Sequence, residues 1–202
     1  MNKIIVYTSI YGDKDNLIVP KLEGCDFAFF TGDGGIMNAK KFKILPHRYF
    51  GEYKYSMWVD GNIKVFGDIK SLVQRYMKNY DIVALAHPLE SLGIKVLIFD
   101  EFKVCIDQKF GNVLDVKRQM LDYKNDNCSD IPVLAGGVII RKHNVESIKN
   151  FGERWWEEIK KYSIRDQLSF SYLIWKLGLR CGKLDNVGLE ANWFKYYNHK
   201  NE

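Results

Sequence analysis

The chain has 202 residues, of which 47% are hydrophobic, 27% charged and 14% aromatic, and its formal net charge is +5. This length and composition suit one sizeable folded domain, and they exclude a disordered or collagen-like chain. No apolar run approaches the roughly 20 residues of a membrane-spanning helix, and the first apolar run is too short for a signal peptide, so we expect a cytoplasmic protein.

Apolar residues alternate along the chain between strand-like and helix-like spacing, which predicts an α/β architecture with a mostly parallel sheet. Strands are predicted, in chain order, at 3–9, 26–30, 42–45, 56–59, 63–66, 81–86 and 132–141. Helices are predicted after Asp68, then over 92–110, 113–123, 145–161 and 164–177. The polar segment 122–130 is predicted to be an exposed loop. Because no repeat or linker interrupts the pattern, the whole of 1–202 is expected to form a single domain.

The basic residues are concentrated between positions 38 and 54, where five Lys or Arg accompany one acidic residue. This segment is either a solvated basic face or a shallow site for a polyphosphate or an anionic sugar. The charge of the whole chain is too mild for a dedicated nucleic-acid binder, so no nucleic-acid partner is expected.

Several well-defined motifs are missing from the sequence. It has no glycine-rich dinucleotide loop after the first strand, no Walker lysine loop, no Gly-x-Ser-x-Gly elbow and no His-Glu-x-x-His helix. Its four histidines and four cysteines are widely separated, and no Cys-x-x-Cys pair occurs. These absences argue against a histidine-rich metal centre, a zinc knuckle and a redox motif, and they favour reduced structural thiols.

The predicted strand 56–59 ends at Asp60-Gly61-Asn62, which is the most informative stretch of the sequence. Open α/β sheets bind ligands at the carboxyl ends of their strands, so Asp60 stands where a ligand is expected. Asp60 and Asn62 both offer oxygen atoms, which suit Mg²⁺ or Mn²⁺ bridging to a diphosphate. An Asp-Gly pair between two apolar runs equally indicates a plain hairpin turn.

Two later segments also have a structural and a functional interpretation. Ser163 could cap a helix while Asp166 reaches back to a backbone N–H; alternatively, Asp166 and Gln167 lie in the first helical turn beside a substrate. Gly136 and Gly137 form either a bulge or a place where a sugar ring lies against bare backbone.

Two further segments carry histidines. His87-Pro88 ends a predicted strand and is either a turn or a ligand contact. The aromatic and basic C-terminal run 193–200 either docks the chain end onto the core or brings His199 and Lys200 to a diphosphate.

In this order, these segments resemble a family of glycosyltransferase-like domains shared by plant mucilage-related and turgor-related Golgi proteins and many short bacterial chains (TOD/MUCI type). The matching stretches run through nearly the whole chain, at 7–12 with Asp15, 43–47, 55–63, 87–88, 136–141 and 165–170. The resemblance implies an α/β GT-A-like fold of nucleotide-diphospho-sugar transferases, related to family-8 glycosyltransferases. Such a fold has a central mixed, mostly parallel sheet flanked by helices.

The resemblance also implies roles for individual residues at the donor end of the site. Thr8, Ser9 and Tyr11 would hold the nucleotide base and ribose. Lys40 falls where related enzymes place a basic residue near the donor. Asp60 would occupy the first position of the metal-binding Asp-x-Asp motif.

At the sugar end, Gly136 and Gly137 would line the pocket, and Asp166 and Gln167 would face the transferred sugar or its acceptor as catalytic residues. Asp166 could serve an inverting or a retaining mechanism, so the stereochemistry stays open.

Asn62 departs from the family pattern, which has a second acidic residue at that position. A neutral amide binds a divalent cation more weakly than a carboxylate does. The expected cofactor is Mn²⁺ or Mg²⁺, held by Asp60, Asn62 and His199, while Lys200 could neutralise part of the diphosphate charge.

The sequence therefore predicts a hexosyltransferase-like enzyme that uses a nucleotide-sugar donor, most simply a UDP-sugar, and a glycan or polysaccharide acceptor. No transmembrane segment is expected, although peripheral contact with a membrane is allowed. Two alternatives stay open: a metal-dependent phosphohydrolase using Asp60, and a catalytically silent module that binds a nucleotide-sugar or glycan, which Asn62 favours.

Overall fold

A computed structural model describes residues 3–12, 15–32, 34–128, 131–184 and 193–198. Within these ranges, the strands are β1 (Ile4–Tyr11), β2 (Asp26–Gly32), β3 (Tyr55–Val59), β4 (Ile63–Val65), β5 (Ile82–Ala86), β6 (Leu134–Arg141), β7 (Cys181–Leu184) and β8 (Phe194–Tyr196). The helices are α1 (Gly35–Ile44), α2 (Ile69–Met77), α3 (Ile98–Asp107), α4 (Val113–Asn125), α5 (Glu146–Lys161) and α6 (Asp166–Lys176).

Six of these strands form one mixed sheet in the order β2-β1-β3-β6-β5-β7. β1 is parallel to both β2 and β3, and β5 is parallel to β7. Only β6 in this sheet runs antiparallel to its neighbours, β3 and β5. The carboxyl ends of β1, β3 and β5 therefore share one edge of the sheet with the amino end of β6, which is where α/β sheets bind ligands.

Both faces of the sheet are covered by apolar side chains. One face packs against α1, α3, α4, α5 and α6, through residues such as Phe102, Phe151 and Trp155. The other face packs against α2 and a small two-stranded sheet formed by β4 and β8. Because β1, β3 and β5 are buried on both faces, they read as nearly continuous apolar runs.

The predicted α/β fold, with a mixed, mostly parallel sheet flanked by helices, is confirmed. That 1–202 forms one domain stays a prediction. In the part of the chain that the structure describes, no helix is both long enough and apolar enough to cross a membrane.

The predicted strand at 42–45 is wrong, because these residues end helix α1 and form the turn that follows it. Leu45 closes the helix by donating its N–H to Lys41 O at 3.0 Å, and Pro46 then starts a 3₁₀ turn. Phe42 packs on Phe30 of β2 with ring centroids 3.7 Å apart, and Ile44 is fully buried. The apolar character of the segment therefore comes from packing a helix on the sheet.

The middle of the chain also differs from the prediction. Leu92 ends a 3₁₀ helix, Pro88–Leu92, and 93–97 is not helical. Helix α3 begins only at Ile98, and Leu97 before it forms a bridge with Pro132. The predicted loop 122–130 is helical as far as Asn125, and Cys128 is buried, so the polar residues there belong largely to the exposed side of α4.

Candidate active site

A cleft of about 890 Å³ opens at the sheet edge where β1, β3 and β5 end. Of the residues predicted from the sequence, it is lined by Ser9, Tyr11, Asp60, Asn62 and Gly137. The strand ends place all five on the same edge, as the topology requires.

Asp60 lies at the floor of this cleft, directly after β3. Trp58 Nε1 donates a hydrogen bond to Asp60 Oδ1 at 2.7 Å, and Lys43 Nζ approaches the same oxygen at 3.4 Å. Within the described residues these partners contact Oδ1 only, and the side chain is 41% exposed. The carboxylate is thus fixed in orientation by one oxygen while its other oxygen is available to a ligand.

The Asp60-Gly61 pair is not a plain hairpin turn. β3 and β4 do not pair with each other; β4 pairs instead with β8, near the C-terminus. Asp60 N donates to Gly137 O at 2.8 Å, so the turn is held against β6. A Cβ at Gly61 would lie 2.6 Å from Ile10 Cδ1 and 3.0 Å from Asp15 Oδ2, so only glycine fits this close approach.

Two lysines of α1 meet Asp166 at the start of α6. Lys40 Nζ lies 2.9 Å from Asp166 Oδ1, and Lys43 Nζ lies 2.8 Å from Asp166 Oδ2. Lys43 also reaches Asp60, so a single ammonium group joins the carboxylates that follow β3 and begin α6. The basic segment 38–54 is therefore not simply a solvated face, because these two lysines point into the protein.

The charges in this cluster stabilise one another. Burial alone would raise the pKa of Asp166, but the Lys40 and Lys43 ammonium groups hold it well below its usual range. Burial alone would lower the pKa of Lys43, but Asp166 and Asp60 raise it. At neutral pH, Asp166 is a carboxylate and Lys43 is an ammonium ion, and the charge of each is balanced by an opposite charge in the cluster.

The position of Lys43 is set by its backbone as well as by its side chain. Arg141 Nη2 donates to Lys43 O at 2.6 Å and to Tyr7 Oη at 2.5 Å, and Tyr7 Oη also lies 3.3 Å from Lys43 O. Both side chains are fully buried, and burial raises the pKa of Tyr7 to about 12. This buried arginine holds the C-terminal turn of α1 against β1 and β6. Its positive charge there interacts favourably with the carbonyl end of the helix dipole.

Gly136 and Gly137 combine the two interpretations left open by the sequence. The β5–β6 register shifts between Ala84, which pairs with Ile139, and Leu85, which pairs with Ala135, so both glycines lie within an irregular stretch of β6. A Cβ at Gly136 would lie 3.0 Å from Lys43 Nζ, and one at Gly137 would lie 3.6 Å from Asp60 Oδ2. Gly136 therefore makes room for the lysine, and Gly137 leaves bare backbone at the cleft beside Asp60.

The capping box predicted at Ser163 does not form. Arg165 occupies the N-cap position of α6, and buried Ser163 accepts a hydrogen bond from Arg165 N at 3.0 Å. Asp166 is the first helical residue, and its side chain turns to the lysines of α1. Asp166 and half-buried Gln167 do lie in the first turn of a helix, and that they lie beside a substrate stays a prediction.

Asn62 lines the cleft but has a structural partner. Its Nδ2 donates to Tyr197 O at 3.2 Å, and Tyr197 N donates to Asn62 O at 2.9 Å. These bonds continue the β4–β8 pairing and bring Tyr196 to the cleft. The predicted docking of the C-terminal run onto the core is seen for 193–198.

The remaining predicted site residues lie elsewhere. Thr8 is buried on the face of β1 opposite Ser9, because successive side chains of a strand alternate. His87 forms a turn, in which its Nδ1 accepts from Leu89 N at 3.3 Å. His199 and Lys200 lie outside the described residues, so their predicted roles stay predictions.

Lys43 is the residue that sequence reasoning missed. The sequence shows it as one of the basic residues at 38–54 and at the start of the matching stretch 43–47, but the apolar run around it predicts a strand at 42–45. The available signal was the i, i+3 spacing of Lys40 and Lys43, which places both on one side of a helix.

A divalent cation fits this cleft only as an ion shared with a ligand. Among the described residues, no three His, Cys, Asp or Glu side chains form a metal site. Among the described residues that line the cleft, oxygen donors come from the outer oxygen of Asp60, the amide oxygen of Asn62 and the carboxylate of Asp15. Mg²⁺ typically binds one or two carboxylates and completes its shell with substrate phosphates and water, so this donor set suits such an ion.

A comparison with known protein families identifies the family of this chain. A family model described as "TOD1/MUCI70, glycosyltransferase-like domain" matches residues 33–201. The chain belongs to this family. The TOD1/MUCI70 match includes α1 with both lysines, Asp60, the glycine pair and Asp166, which are the parts that form the cleft and its charged floor.

Relatives of the chain include a plant protein and two solved structures. The "Probable hexosyltransferase MUCI70" of Arabidopsis thaliana is 26% identical over an alignment of 183 residues, and the match covers 79% of this chain and 26% of that protein. The chain thus spans about a quarter of the length of this curated relative. Mouse xyloside xylosyltransferase 1, in its apo form, is 11% identical with a TM-score of 0.44, covering 82% of this chain and 64% of that one. A197 from STIV is 10% identical with a TM-score of 0.44, covering 92% and 82%.

Proposed function

We propose that this chain is a glycosyltransferase that moves a hexose from a nucleotide-diphosphate sugar, most simply a UDP-sugar, to a glycan or polysaccharide acceptor. The observation that carries the proposal is Asp60, fixed through one oxygen at the floor of a cleft at the strand ends. Membership of the glycosyltransferase-like family supports the same reaction class.

In this reaction, the bond between the anomeric carbon and the diphosphate oxygen breaks, and a bond to an acceptor hydroxyl forms. The hydroxyl loses its proton, and negative charge accumulates on the departing diphosphate. Groups that stabilise this developing charge accelerate the transfer more than groups that only bind the donor. The cleft therefore needs a positive charge beside Asp60.

The described charges favour a metal ion for this role. Lys40 and Lys43 are compensated by Asp60 and Asp166, so these four groups sum to zero and leave a diphosphate unneutralised. Asp60, Asn62 and His199 would hold Mn²⁺ or Mg²⁺, and Lys200 would neutralise part of the diphosphate charge. When bound, this ion supplies a Lewis acid for the leaving diphosphate.

Asp166 orients the site and is a poor candidate for a general base. Its two oxygens both face lysines, and its pKa lies far below the neutral range that suits proton abstraction. In the proposed site, Asp166 and Gln167 hold the transferred sugar, and Lys43 holds Asp166. The acceptor proton therefore passes to an oxygen of the departing diphosphate or to water, and not to Asp166.

The two ends of the cleft suit different parts of the donor, the nucleoside and the sugar. Ser9 and Tyr11, at the end of β1, suit the base and ribose, since they provide a hydroxyl and an aromatic ring. Gly137, across the floor beside Asp60, suits the sugar, because its bare backbone admits a ring at close range. We further propose a cytoplasmic location, which the four unpaired cysteines support because disulfides are rare there.

The test is release of nucleotide diphosphate from a panel of UDP- and GDP-hexoses in the presence of Mn²⁺, followed by chromatography. We expect the wild type to release UDP from at least one UDP-hexose, and Asp60→Asn to lose this activity. Asp115→Asn, an exposed carboxylate on α4, is the matched control and should behave as wild type. Release of inorganic phosphate from simple phosphate esters would favour the phosphohydrolase, and UDP binding without turnover would favour the silent module.

A further inference from the structure

A second charged cluster lies beside the proposed site and has no part in binding the donor. Glu101 of α3 is buried, with its side chain 5% exposed. Arg165 donates to Glu101 Oε1 from Nη2 at 3.0 Å and from Nε at 3.3 Å. His87 Nε2 lies 4.0 Å from Glu101 Oε2, and Cys105 Sγ lies 3.9 Å from Oε1.

This cluster joins the elements that form the cleft wall to the helix that carries Asp166. His87 directly follows β5 and precedes Pro88, which lines the cleft. Arg165 is the N-cap residue of α6, immediately before Asp166. Glu101 therefore ties Arg165 to α3, and the His87 ring lies near the same carboxylate.

A buried carboxylate needs a compensating partner, and the guanidinium group supplies it in a fixed, planar geometry. Arg165 also lies over the Phe110 ring, with its guanidinium carbon 5.2 Å from the centroid, which further limits its side chain. Burial alone would lower the pKa of Arg165, but hydrogen bonding and attraction to Glu101 raise it. The residue before Asp166 is therefore held by its side chain as well as by its backbone.

The next residue turns the opposite way. The Asp166 carboxylate reaches Lys40 and Lys43, while its carbonyl accepts from Trp155 Nε1 at 3.2 Å. The Arg165 side chain thus binds the start of α6 to α3, and the Asp166 side chain binds it to α1. A rotation of this first turn would move Asp166 and Gln167 relative to the cleft floor, but it would leave Asp60 and the β1 end in place.

We propose that Glu101 and Arg165 are positioning residues for sugar transfer, which set the orientation of Asp166 and Gln167 without contributing to nucleotide-diphosphate binding. This inference rests on the proposed function. It separates the two halves of the site: Asp60 and the β1 end bind the nucleotide, and the Glu101–Arg165 pair fixes the groups that face the sugar.

The experiment compares single and paired substitutions. Arg165→Met leaves the buried Glu101 carboxylate without its partner, and Glu101→Gln removes the charge that pairs with Arg165, whose side chain is 37% exposed, so each should lower the melting temperature. Replacing both, as Glu101→Leu with Arg165→Met, removes the unpaired charge and should recover much of the stability. The readouts are the melting temperature, the Kd for UDP with Mn²⁺ by calorimetry, and kcat and KM for the UDP-hexose that the wild type hydrolyses fastest.

We expect kcat to fall by about tenfold to a hundredfold in the single variants and to stay low in the double variant, because misplaced groups slow the reaction even in a stable fold. The Kd for UDP should stay close to that of the wild type. Asp81→Asn is the matched control, since Asp81 pairs with Lys142 and Arg180 at the opposite end of β5. It should lose stability and keep its kcat.

Recovery of kcat together with the melting temperature in the double variant would overturn the proposal, because the pair would then be merely structural. Equal loss of kcat in Asp81→Asn would overturn it as well. If a single variant fails to fold, the double variant still carries the test. If the wild type neither binds UDP nor hydrolyses any sugar nucleotide, both the proposed function and this inference are wrong. If the wild type is active and the double variant is fully active, only the inference is wrong.

Discussion

The ammonium group of Lys43 lies 2.8 Å from the carboxylate of Asp166, and this contact joins the last turn of α1 to the first turn of α6. Both side chains are largely buried, at 8% and 12% exposure. The pair lies behind the backbone of Gly136, on the floor that also carries Asp60. The floor is therefore a compensated charge cluster whose geometry is set before any ligand binds.

Removing Lys43 should destabilise the fold more than removing the half-buried Lys41 of the same helix. Lys43→Met leaves two carboxylates without this partner, and breaking a buried pair typically costs about 3–5 kcal/mol. Because Lys40 still faces Asp166, we expect the lower end of that range. Urea unfolding measures the change, with Lys41→Met on the same helix as control, and a loss no larger than that of the control would contradict the account.

Acidification should weaken the fold through Asp166. A carboxyl group whose folded pKa is lowered contributes stability that is present above its unfolded pKa and is lost as the pH falls through its folded pKa. The ordinary value here is 3.8, and the folded value lies well below it. The difference in unfolding free energy between wild type and Asp166→Asn should therefore be constant near neutrality and narrow progressively below pH 3.8.

Chemical denaturation at a series of pH values measures this difference. A gap that stays constant down to strongly acidic pH would show that Asp166 is not the ionised partner of the lysines.

The glycine pair predicts two distinguishable defects. Gly136→Ala places a Cβ 3.0 Å from Lys43 Nζ and should displace the lysine, lowering stability by about 1–3 kcal/mol as an overpacked site does. Gly137→Ala places a Cβ 3.1 Å from Ile63 Cδ1 and 3.6 Å from Asp60 Oδ2, so it should weaken sugar-nucleotide binding more than UDP binding.

Melting temperatures and calorimetric Kd values separate these two effects. Gly51→Ala is the matched control, since a Cβ there meets nothing within 4 Å. Identical behaviour of all three alanine variants would argue against a close-packed floor.

Restoring the second acidic residue should strengthen metal binding at some cost in stability. Asn62→Asp adds a carboxylate to the cleft, and cation affinity rises with the number of charged ligands. The same change replaces the Nδ2 donor to Tyr197 O by an acceptor, so we expect a loss of about 1 kcal/mol. Mn²⁺ titration in the presence of UDP, followed by electron paramagnetic resonance, reports the affinity, and unchanged affinity would exclude position 62 from the metal's surroundings.

The strands could be predicted from the sequence because β1, β3 and β5 are buried on both faces and stand out as apolar runs bounded by turns. Helix α1 could not be predicted in the same way. Its last residues, ending in Ile44, form a short apolar run, and a run of that length does not distinguish a strand from the buried side of a helix.

The site was predictable where it depended on local order along the chain. Asp60 follows a buried strand, so its place at the sheet edge could be inferred. The contact of Lys43 with Asp166 joins residues 123 positions apart, and Asn62's bond to Tyr197 joins residues 135 positions apart. Such pairings depend on how the helices and strands pack, and no short-range sequence pattern predicts them.

The most direct measurement is calorimetric titration of UDP in the presence of Mn²⁺ into wild-type protein and into Asp60→Asn. This substitution keeps the size of the side chain and removes its charge, and Asp115→Asn serves as the control for a lost surface carboxylate. We predict a saturable UDP–Mn²⁺ interaction in the wild type and in the control, and its loss in Asp60→Asn, with only a small fall in melting temperature because Lys43 keeps Asp166 as a partner. Equal UDP binding by wild type and Asp60→Asn would contradict the assignment of Asp60 as the residue that anchors the diphosphate.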